Sequence, residues 1–281
     1  MSGTLYLCAT PIGNLEDITL RVLRVLREAD LIAAEDTRTS GVLLSHFDIH
    51  TPLTSYHKFN EEDKAPELVG KLLSGVNIAL ITDAGTPAIS DPGEHLVKLC
   101  IESGVPVTSL PGPSAVITAL TISGLSTRRF AFEGFLPTDK KERQERLAAL
   151  RNEDRTTVLY EAPHRLKKTL AELMEQVGGD RDLVMTRELT KKFETAVRGT
   201  VAECLADTEV HEPRGEYVLI LGGRPEGEAA REKAAAWEKM TIADHVAMYE
   251  EQGLSRKEAM RRAAADRGTS RREIYQALLE E

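Results

Sequence analysis

The stretch Asn77–Gly93, NIALITDAGTPAISDPG, decides how this chain is expected to fold. Four apolar residues, Ile78 to Ile81, have the length and composition of a buried strand. The following loop contains two glycines, two prolines and two aspartates, and a helix-like pattern begins after it. Glycine lets the backbone approach a ligand, and proline fixes the shape of a loop. The stretch therefore predicts a buried strand that ends in an acidic loop with an accessible backbone.

The same strand-then-helix pattern recurs on both sides of this stretch. Strands are predicted over 4–10, 30–36, 51–57, 77–83 and 105–110, and helices over 19–29, 37–47 (with Thr37 as N-cap), about 61–73, 92–104 and 113–124. Strands and helices that alternate at this spacing indicate a mostly parallel sheet with both faces covered. Residues 1–126 are therefore predicted to form an α/β domain.

A second α/β domain is predicted over 127–225. The pattern changes near residues 125–129, and the segment 129–147 is interpreted as a bridge between the domains. Strands are predicted over 156–162, 182–189, 193–201 and 215–223, with a helix over 163–178. The sheet of this domain is expected to be more mixed than the first.

Residues 226–281 are predicted to form a small helical tail, entered through the charged segment 224–233. Two S-x-x-E patterns, at Ser255 and Ser270, indicate capping boxes at the start of two short helices. Seven basic and three acidic residues lie within 255–276, whereas the whole chain has a net charge of −9. This pattern predicts a helix-turn-helix-like unit that binds nucleic acid. The alternative is a helical hairpin that closes a dimer or covers an apolar edge, with its arginines merely solvated.

Composition indicates an ordinary water-soluble globular protein. The 281 residues are 41% hydrophobic and 29% charged, without a signal peptide or an apolar run of membrane-spanning length. The three cysteines are far apart and lack a C-x-x-C pair, which favours free thiols packed in the core. A cytoplasmic protein without a disulfide framework, a metal site or a membrane segment is therefore predicted.

The loops at the strand ends point to a cationic ligand. In an open α/β sheet, ligands bind beyond the carboxyl ends of the strands, where Asp83 and the loop Leu110–Ala115 are predicted to lie. Asp83 would repel a phosphate and attract a cation, and the loop Thr10–Gly13 has no G-x-G-x-x-G fingerprint. A cation-bearing nucleoside therefore fits better than NAD or ATP. The alternative is that Asp83 only caps a tight turn.

Seven motifs in a fixed order carry a resemblance to a known family. They are ATPIGNLEDIT (9–19), AAEDTR (33–38), TDAGTPAISDPG (82–93), PGPSA (111–115), FEGFLP (132–137), YEAPHR (160–165) and RELTKKFE (187–194). Together they resemble the tetrapyrrole-methylase superfamily, and within it the 16S rRNA (cytidine-2′-O)-methyltransferases. The likeness covers roughly residues 4–222, and the tail is similar to the C-terminal segment of that branch. The first loop lacks the glycine-rich G-x-G-P-G pattern of the tetrapyrrole and diphthine enzymes.

The resemblance implies a cofactor, a substrate and an assembly. S-adenosyl-L-methionine is expected in a cleft between two α/β domains, usually in a homodimer, and the substrate is a cytidine ribose in the decoding region of 16S rRNA or of the small ribosomal subunit. Carried over by motif, the residues expected at the cofactor are Asp83, Gly85, Thr86, Ala88, Ser114, Ala115, Leu159 or Tyr160, and Tyr217 within the region 216–218.

The candidate catalytic residues lie in the same motifs. They are Glu35, Glu188, Lys191 and Arg165, and each has the alternative of a structural ion pair. Lys191 is interpreted either as a desolvated base or as a cation that pairs with the ribose oxygen or a phosphate. Glu35 is an equal candidate for the base.

A basic track is also predicted to bind rRNA. It consists of Lys140, Lys141, Arg143, Lys167, Lys168, Lys191 and Lys192 together with the arginines of the tail. Two other functions compete with rRNA methylation: methylation of a tetrapyrrole or another small molecule by the same fold, and RNA binding without catalysis.

Overall fold

Five parallel strands form the first sheet of the protein, whose computed structural model describes residues 1–225, 227, 237 and 239–280. The strands are β1 (Leu5–Cys8), β2 (Leu31–Ala34), β3 (Leu53–Ser55), β4 (Ile78–Ile81) and β5 (Val107–Leu110), in the order β3-β2-β4-β1-β5. Each is followed by a helix: α1 (Leu20–Glu28), α2 (Thr37–His46), α3 (Glu61–Leu73), α4 (Glu94–Glu102) and α5 (Ala115–Ser123). The predicted parallel alternation is confirmed.

Successive residues of β4 point to opposite faces of this sheet, and the residues on both faces are apolar. Helices therefore cover both faces. Ile81 packs with Leu26 of α1 and Leu44 of α2. Leu80 packs with Leu68 of α3 in the cluster on the other face. Each fully buried leucine or isoleucine contributes about 1.5–3 kcal/mol, so this sandwich fixes β4 as the centre of the sheet.

The order of the strands creates a crevice at the ends of β1 and β4. The chain leaves β1 towards β2 on one side and leaves β4 towards β5 on the other, although β1 and β4 are neighbours. A backbone bridge joins the two loops: Thr10 N donates to Gly85 O at 2.9 Å, and Gly85 N donates to Thr10 O at 3.0 Å. Such a switch point is where open α/β sheets bind their ligands.

The second sheet is mixed, as predicted. Its strands are β6 (Phe130–Phe135), β7 (Thr156–Glu161), β8 (Asp182–Arg187), β9 (Thr195–Thr200) and β10 (Tyr217–Leu221), in the order β6-β7-β10-β8-β9. Strands β6 and β7 are parallel, and the other three pairs are antiparallel. The helices of this half are α6 (Lys140–Asn152), α7 (Pro163–Val177) and α8 (Val201–Val210).

Helix α5 joins the two halves. Its residues Val116 and Leu120 pack on Val158 of β7 and Ile220 of β10, while α6, α7 and α8 cover the opposite face of the second sheet. Both sheets consequently belong to one compact unit, Met1–Gly223, and the second unit is Arg224–Glu281. The domain boundaries at 126/127 and 225/226 stay predictions.

Three local predictions are wrong. The segment 129–147 is not a bridge, because it contains β6 and most of α6. Asp36 rather than Thr37 caps α2, since its side chain accepts from Arg38 N and Thr37 is the first helical residue. Helix α8 was not predicted, although the sequence has a T-x-x-E pattern at its start. Thr200 and Glu203 of this pattern form a capping box.

The second unit contains three described helices, Ile242–Glu251, Arg256–Asp266 and Arg271–Glu280. Both predicted capping boxes are confirmed, since Ser255 and Ser270 exchange hydrogen bonds with Glu258 and Glu273. The helix Ile242–Glu251 lies within the predicted helical tail, although its bounds were not predicted. It contributes to a small core that consists of Val246, Ala259, Ala263, Ala264 and Ile274. Most of the predicted charged segment 224–233 lies outside the described residues.

The three cysteines are free and buried, as predicted. Burial raises the pKa of the Cys100 thiol to about 11, with a similar rise for Cys204. These thiols therefore pack as small apolar groups in the core.

Candidate active site

A cavity of about 440 Å³ lies at the crevice of the first sheet. It is bounded by the loops after β1, β4 and β5 and by the ends of β7 and β10. Its volume falls within the range of about 300–1,000 Å³ that is usual for small-molecule sites. The lining residues are Ile12, Glu35, Asp83, Ala84, Gly85, Thr86, Ile89, Ser90, Asp91, Ser114, Ala115, Phe135, Tyr160, Glu161, Ala162, Pro163, Leu189, Glu216, Tyr217 and Val218.

The loop after β4 is held in a strained and specific shape. Ala88 and Ser90 have positive φ values of 68° and 64°, which residues other than glycine rarely adopt. Thr86 Oγ1 donates to Pro113 O at 3.1 Å, which joins this loop to the one after β5. At Gly93, φ is 144°, and an added Cβ would lie 3.0 Å from Leu80 Cδ2. Such strain persists where the surroundings fix the conformation, as at binding sites.

Three carboxylates gather at one end of the cavity. Asp83 N donates to Glu35 Oε2 at 3.3 Å, and Asp91 lines the same space. Partial burial raises the pKa of Glu35 and of Asp83. Burial, together with the charges of Glu35 and Asp83, raises the pKa of Asp91 to about 6. A bound cation would relieve this repulsion, so the chemistry of this end fits a positively charged ligand.

An aromatic wall faces these carboxylates. The ring of Tyr160 makes edge-to-face contacts with Phe132 at 5.0 Å and with Phe135 at 5.5 Å. Burial, together with the charge of Asp91, raises the pKa of Tyr160 to about 12, so its hydroxyl stays protonated at neutral pH. The cavity therefore offers an acidic end and an aromatic surface, which suits a ligand with a cationic group and a planar ring.

A lysine–glutamate triad lies beside the cavity. Lys191 Nζ donates to Glu188 Oε1 at 3.0 Å and to Glu216 Oε2 at 2.9 Å, and Glu216 lines the cavity. Partial burial would lower the pKa of Lys191, but its hydrogen bonds to Glu216 and Glu188 outweigh that effect and raise it. Lys191 is therefore held as a cation, which favours the second of its two predicted roles.

The backbone around Glu188 is shaped to hold this triad. Glu188 has a φ of 53°, and its Oε1 also accepts from Glu216 N at 3.1 Å. A Cβ added at Gly215 would lie 2.4 Å from that same oxygen. Burial acts to raise the pKa of Glu188, but the bonds from Glu216 N–H and Lys191 prevail and lower it. Glu188 is thus a fixed anion that orients Lys191.

The structure brings seven of the nine predicted cofactor residues to the cavity wall: Asp83, Gly85, Thr86, Ser114, Ala115, Tyr160 and Tyr217. Ala88 does not line the cavity, and its N–H donates to Pro92 O at 3.3 Å. Leu159 is 1% exposed in the core beneath α7, because neighbouring strand residues face opposite sides and Tyr160 faces the cavity. Of the pair Leu159 and Tyr160, Tyr160 lines the cavity and Leu159 does not.

The four predicted catalytic residues separate into two groups. Glu35 lines the cavity, and Glu188 and Lys191 stand beside it. Arg165 does not line the cavity: its Nη2 donates to Leu136 O at 3.2 Å, and its Nε lies 3.8 Å from Glu161 Oε1. For Arg165 the structure therefore shows the alternative that the sequence left open, a structural ion pair with Glu161.

Sequence reasoning missed Asp91 and Phe135 as residues of the site. Asp91 stands in the same acidic loop as Asp83, so its position at a strand end was an available indication. Phe135 lies in the motif FEGFLP, but that motif was given no role at the site, because the side chain of Phe135 reaches the cavity only through the pairing of β6 with β7.

The predicted basic track is partly wrong. Arg143 is 4% exposed and donates to Glu172 Oε2 at 2.7 Å and to Thr169 Oγ1 at 2.7 Å, so it is a core residue. Lys167 pairs with Glu209 at 3.3 Å, and Lys168 lies 3.8 Å from Glu172. Lys140, Lys141 and Lys192 are exposed.

Metal-binding groups and membrane spans are absent from the described part of the chain. It contains no set of three or more His, Cys, Asp or Glu side chains arranged to hold a metal ion. None of its described helices has the length and apolar character needed to cross a bilayer.

The parallel sheet, the switch-point cavity and the mixed second sheet together define a family. The chain belongs to the Tetrapyrrole (Corrin/Porphyrin) Methylases, whose family model matches residues 4–205.

Curated relatives narrow the comparison. Proteins called ribosomal RNA small subunit methyltransferase I are 46% identical to this chain in Synechocystis sp. (99% of this chain, 98% of the relative) and in Bacillus subtilis (98% and 94%). The protein of that name from Escherichia coli O157:H7 is 51% identical over 79% of this chain and 78% of its own.

Solved structures share the fold at low sequence identity. Diphthine synthase superposes with a TM-score of 0.60 at 14% identity, over 78% of this chain and 90% of its own. Uroporphyrin-III C-methyltransferase from Thermus thermophilus, complexed with S-adenyl homocysteine, superposes with a TM-score of 0.56 at 22% identity, over 78% and 97%.

Proposed function

We propose that this protein transfers a methyl group from S-adenosylmethionine to the 2′-oxygen of a cytidine ribose in the decoding region of 16S rRNA. The near-full-length relatives named as small-subunit rRNA methyltransferases support methylation of rRNA. The observation that carries the proposal is the acidic, aromatic-walled cavity at the switch point of the first sheet. The cytidine and the 2′-oxygen come from the motif resemblance.

The residues of the cavity fit S-adenosylmethionine. The carboxylates of Asp83 and Asp91 complement the positive charges of its sulfonium and ammonium groups. Tyr160 and Phe135 offer aromatic surface to its adenine ring. The backbone of the loops after β4 and β5 offers N–H and C=O groups to its polar edges. The solved uroporphyrin-III methyltransferase with S-adenyl homocysteine supports the same class of cofactor.

The reaction requires the protein mainly to position the cofactor and the ribose and to accept the proton of the 2′-hydroxyl. The bound cofactor supplies a methyl group that is already activated on sulfur. Holding the ribose oxygen in line with that carbon can contribute ~7–11 kcal/mol. Lys191, held as a cation by Glu188 and Glu216, stabilises charge that develops on the oxygen. Glu35, whose pKa burial raises, accepts the proton.

The rRNA partner is proposed to bind through exposed cations of the second unit. Arg256 lies 3.8 Å from Glu250, and Arg267 is used internally, because its Nε donates to His245 Nδ1 at 3.0 Å. Within residues 255–276, the other basic residues are all exposed; they are Lys257, Arg261, Arg262, Arg271 and Arg272. Homodimeric assembly, which the motif resemblance implies, and a cytoplasmic location, which the cysteine pattern favours, stay predictions.

The function is tested by mapping ribose methylation in 16S rRNA from cells with and without this protein. A single decoding-region cytidine is expected to lose its 2′-O-methyl group when the protein is absent and to regain it when purified protein and S-adenosylmethionine are added. Free rRNA and assembled small subunits are supplied in parallel to identify the substrate form. Unchanged rRNA methylation, or methylation at a base atom, would refute the proposal.

Binding of S-adenosylmethionine is expected to weaken as the pH falls through about 6, the pKa of Asp91 in the ligand-free protein. A cationic ligand prefers the deprotonated carboxylate, so affinity at pH 5 should be roughly tenfold lower than at pH 7.5. Because the folded state holds this proton more tightly than the unfolded chain, the ligand-free protein gains stability from this group as the pH falls over the same range. Protonation of Asp91 by itself therefore does not unfold the protein.

The measurement is calorimetric titration at several pH values in buffers with different ionisation enthalpies, which reports proton release on binding. Asp91→Asn is expected to flatten the pH profile, whereas Asp48→Asn, in an exposed loop, should leave it unchanged. A pH dependence that survives in Asp91→Asn would assign it to Glu35 or Asp83.

Replacing Arg261 and Arg262 together with glutamine is expected to weaken rRNA binding and to reduce its salt dependence. Each lost contact with a single-strand phosphate lowers the slope of log K against log salt by about 0.7. Filter binding at 50–200 mM salt (about the range in which this term dominates) measures the slope. Arg129→Gln is the control, because Arg129 is exposed and pairs with Asp154 at 3.2 Å. An unchanged slope would mark the two arginines as merely solvated.

A further inference from the structure

The loop between β8 and β9 presents a phenyl ring to solvent. Phe193 is 67% exposed, and Lys192 Nζ lies 5.6 Å from the centre of its ring. A single exposed aromatic residue is common on protein surfaces and carries no inference by itself. Phe193 differs from such residues because its loop is held by hydrogen bonds and lies beside the cavity.

The loop is pinned by its own hydrogen bonds. Thr190 N donates to the Glu194 carboxylate, and Glu194 N donates to Lys191 O at 3.1 Å. Thr190 has a φ of 65°, so the chain turns back sharply before Phe193. A ring on a loose loop would fold onto nearby apolar surface, whereas this turn keeps the ring of Phe193 in solvent.

The same loop forms part of the cavity. Leu189 is 6% exposed and lines it, and Lys191 belongs to the triad beside it. The loop also packs on the turn after β1, since a Cβ added at Gly13 would lie 2.4 Å from Lys191 Cγ. Phe193 is thus two residues from the cation proposed to act on the ribose, in a loop that contributes Leu189 to the cavity and packs on the turn after β1.

We infer that Phe193 and Lys192 form a stacking site for an unpaired RNA base next to the methylated nucleotide. Single-stranded RNA is recognised by exposed aromatic rings that stack on bases and by nearby cations that contact phosphates. Phe193 supplies the ring, and Lys192 supplies a positive charge over one face of that ring. This inference rests on the proposed rRNA substrate and adds a subsite that holds the flanking nucleotide while the target ribose enters the cavity.

The test compares Phe193→Leu, which keeps an apolar side chain, with Phe193→Trp, which keeps a stacking surface. Single-turnover methylation of the rRNA form that the wild type accepts is measured across RNA concentrations. Phe193→Leu is expected to raise the half-saturating RNA concentration about 10- to 100-fold, and Phe193→Trp to keep it within about threefold. Lys192→Gln is expected to reduce the salt slope of RNA binding by about 0.7, which Phe193→Leu leaves unchanged.

Two control measurements distinguish base stacking by Phe193 from a general loss of apolar surface and from a change in assembly. Phe130→Ala removes an exposed phenylalanine at the opposite end of β6 from the cavity and should not alter RNA binding. Light scattering shows whether Phe193→Leu changes the oligomeric state. Equal RNA saturation in the wild type and Phe193→Leu, or a changed oligomeric state in that variant, would overturn the stacking site. Failure of the wild type to methylate rRNA would instead refute the proposed function.

Discussion

Replacing Asp83 with asparagine is expected to raise the Kd for S-adenosylmethionine by about 10- to 100-fold. The carboxylate of Asp83 lines the acidic end of the cavity, where a charged hydrogen bond to the ligand contributes about 1.5–3 kcal/mol. Asparagine has nearly the same shape, and its side-chain oxygen can still accept from Asp36 N, as Asp83 Oδ1 does at 3.3 Å. The substitution therefore removes the negative charge of Asp83 and preserves the conformation of the loop.

The matched control for this prediction is Asp36→Asn. Asp36 lies at the same edge of the sheet, but its carboxylate caps α2 and pairs with Arg38 at 2.8 Å. Asparagine is an equally good N-cap, so the Kd should stay within about twofold of the wild type. Calorimetric titration of both variants, with melting curves to verify folding, measures the difference. Equal affinity of Asp83→Asn and the wild type would remove Asp83 from the cofactor site.

The sheet and the location of the site were predictable because they depend on local patterns. The run Ile78–Ile81 reads as a buried strand, and all four residues are fully buried in β4. Once the first sheet is parallel, the loops after its strands must meet at one edge, so Asp83 and Ser114 were expected together. Neither step requires knowledge of which distant side chains touch.

The residues that were misjudged depend on contacts between distant parts of the chain. Arg143 lies 26 residues before Thr169, to which it donates a hydrogen bond. No periodic pattern in the sequence predicts that Arg143 is buried between α6 and α7. The position of Lys191 depends in the same way on Glu216, 25 residues later. Leu159 and Tyr160 are equivalent in a strand motif, and the packing of α5 on the second sheet decides which one faces the cavity.

The environment of Asp91 could not be predicted from its loop alone. An aspartate beside a proline is an ordinary turn residue. Its pKa of about 6 arises because burial combines with the charges of Glu35 and Asp83, which come from two other segments. The electrostatics of the site are therefore a property of the assembled crevice.

Replacing Lys191 with methionine is expected to lower kcat for rRNA methylation by about 10²–10³-fold, while the Kd for S-adenosylmethionine changes little. Methionine fills a similar volume but cannot stabilise negative charge on the ribose oxygen. Lys191→Arg keeps a cation that can still pair with Glu188 and Glu216, so it should recover part of the lost activity. Single-turnover rates at saturating cofactor and RNA separate this effect from binding.

The pH profile of the wild type distinguishes the two roles of Lys191. Its pKa lies above the ordinary value for lysine, so the residue stays protonated throughout the neutral range. A cationic role predicts a rate that does not rise between pH 8 and 10 (roughly the window below an ordinary lysine pKa), whereas a neutral base would give about a tenfold rise per pH unit there. A rise of that size that disappears in Lys191→Met would show that Lys191 is the base.

Lys168→Met provides the matched control for Lys191→Met. Lys168 is a lysine of α7 that lies 3.8 Å from Glu172, away from the residues that line the cavity. Its loss removes one exposed ion pair, which contributes about 0–1 kcal/mol to stability, and should leave kcat unchanged. If Lys191→Met retains wild-type kcat, the triad is structural and Lys191 does not act on the ribose oxygen.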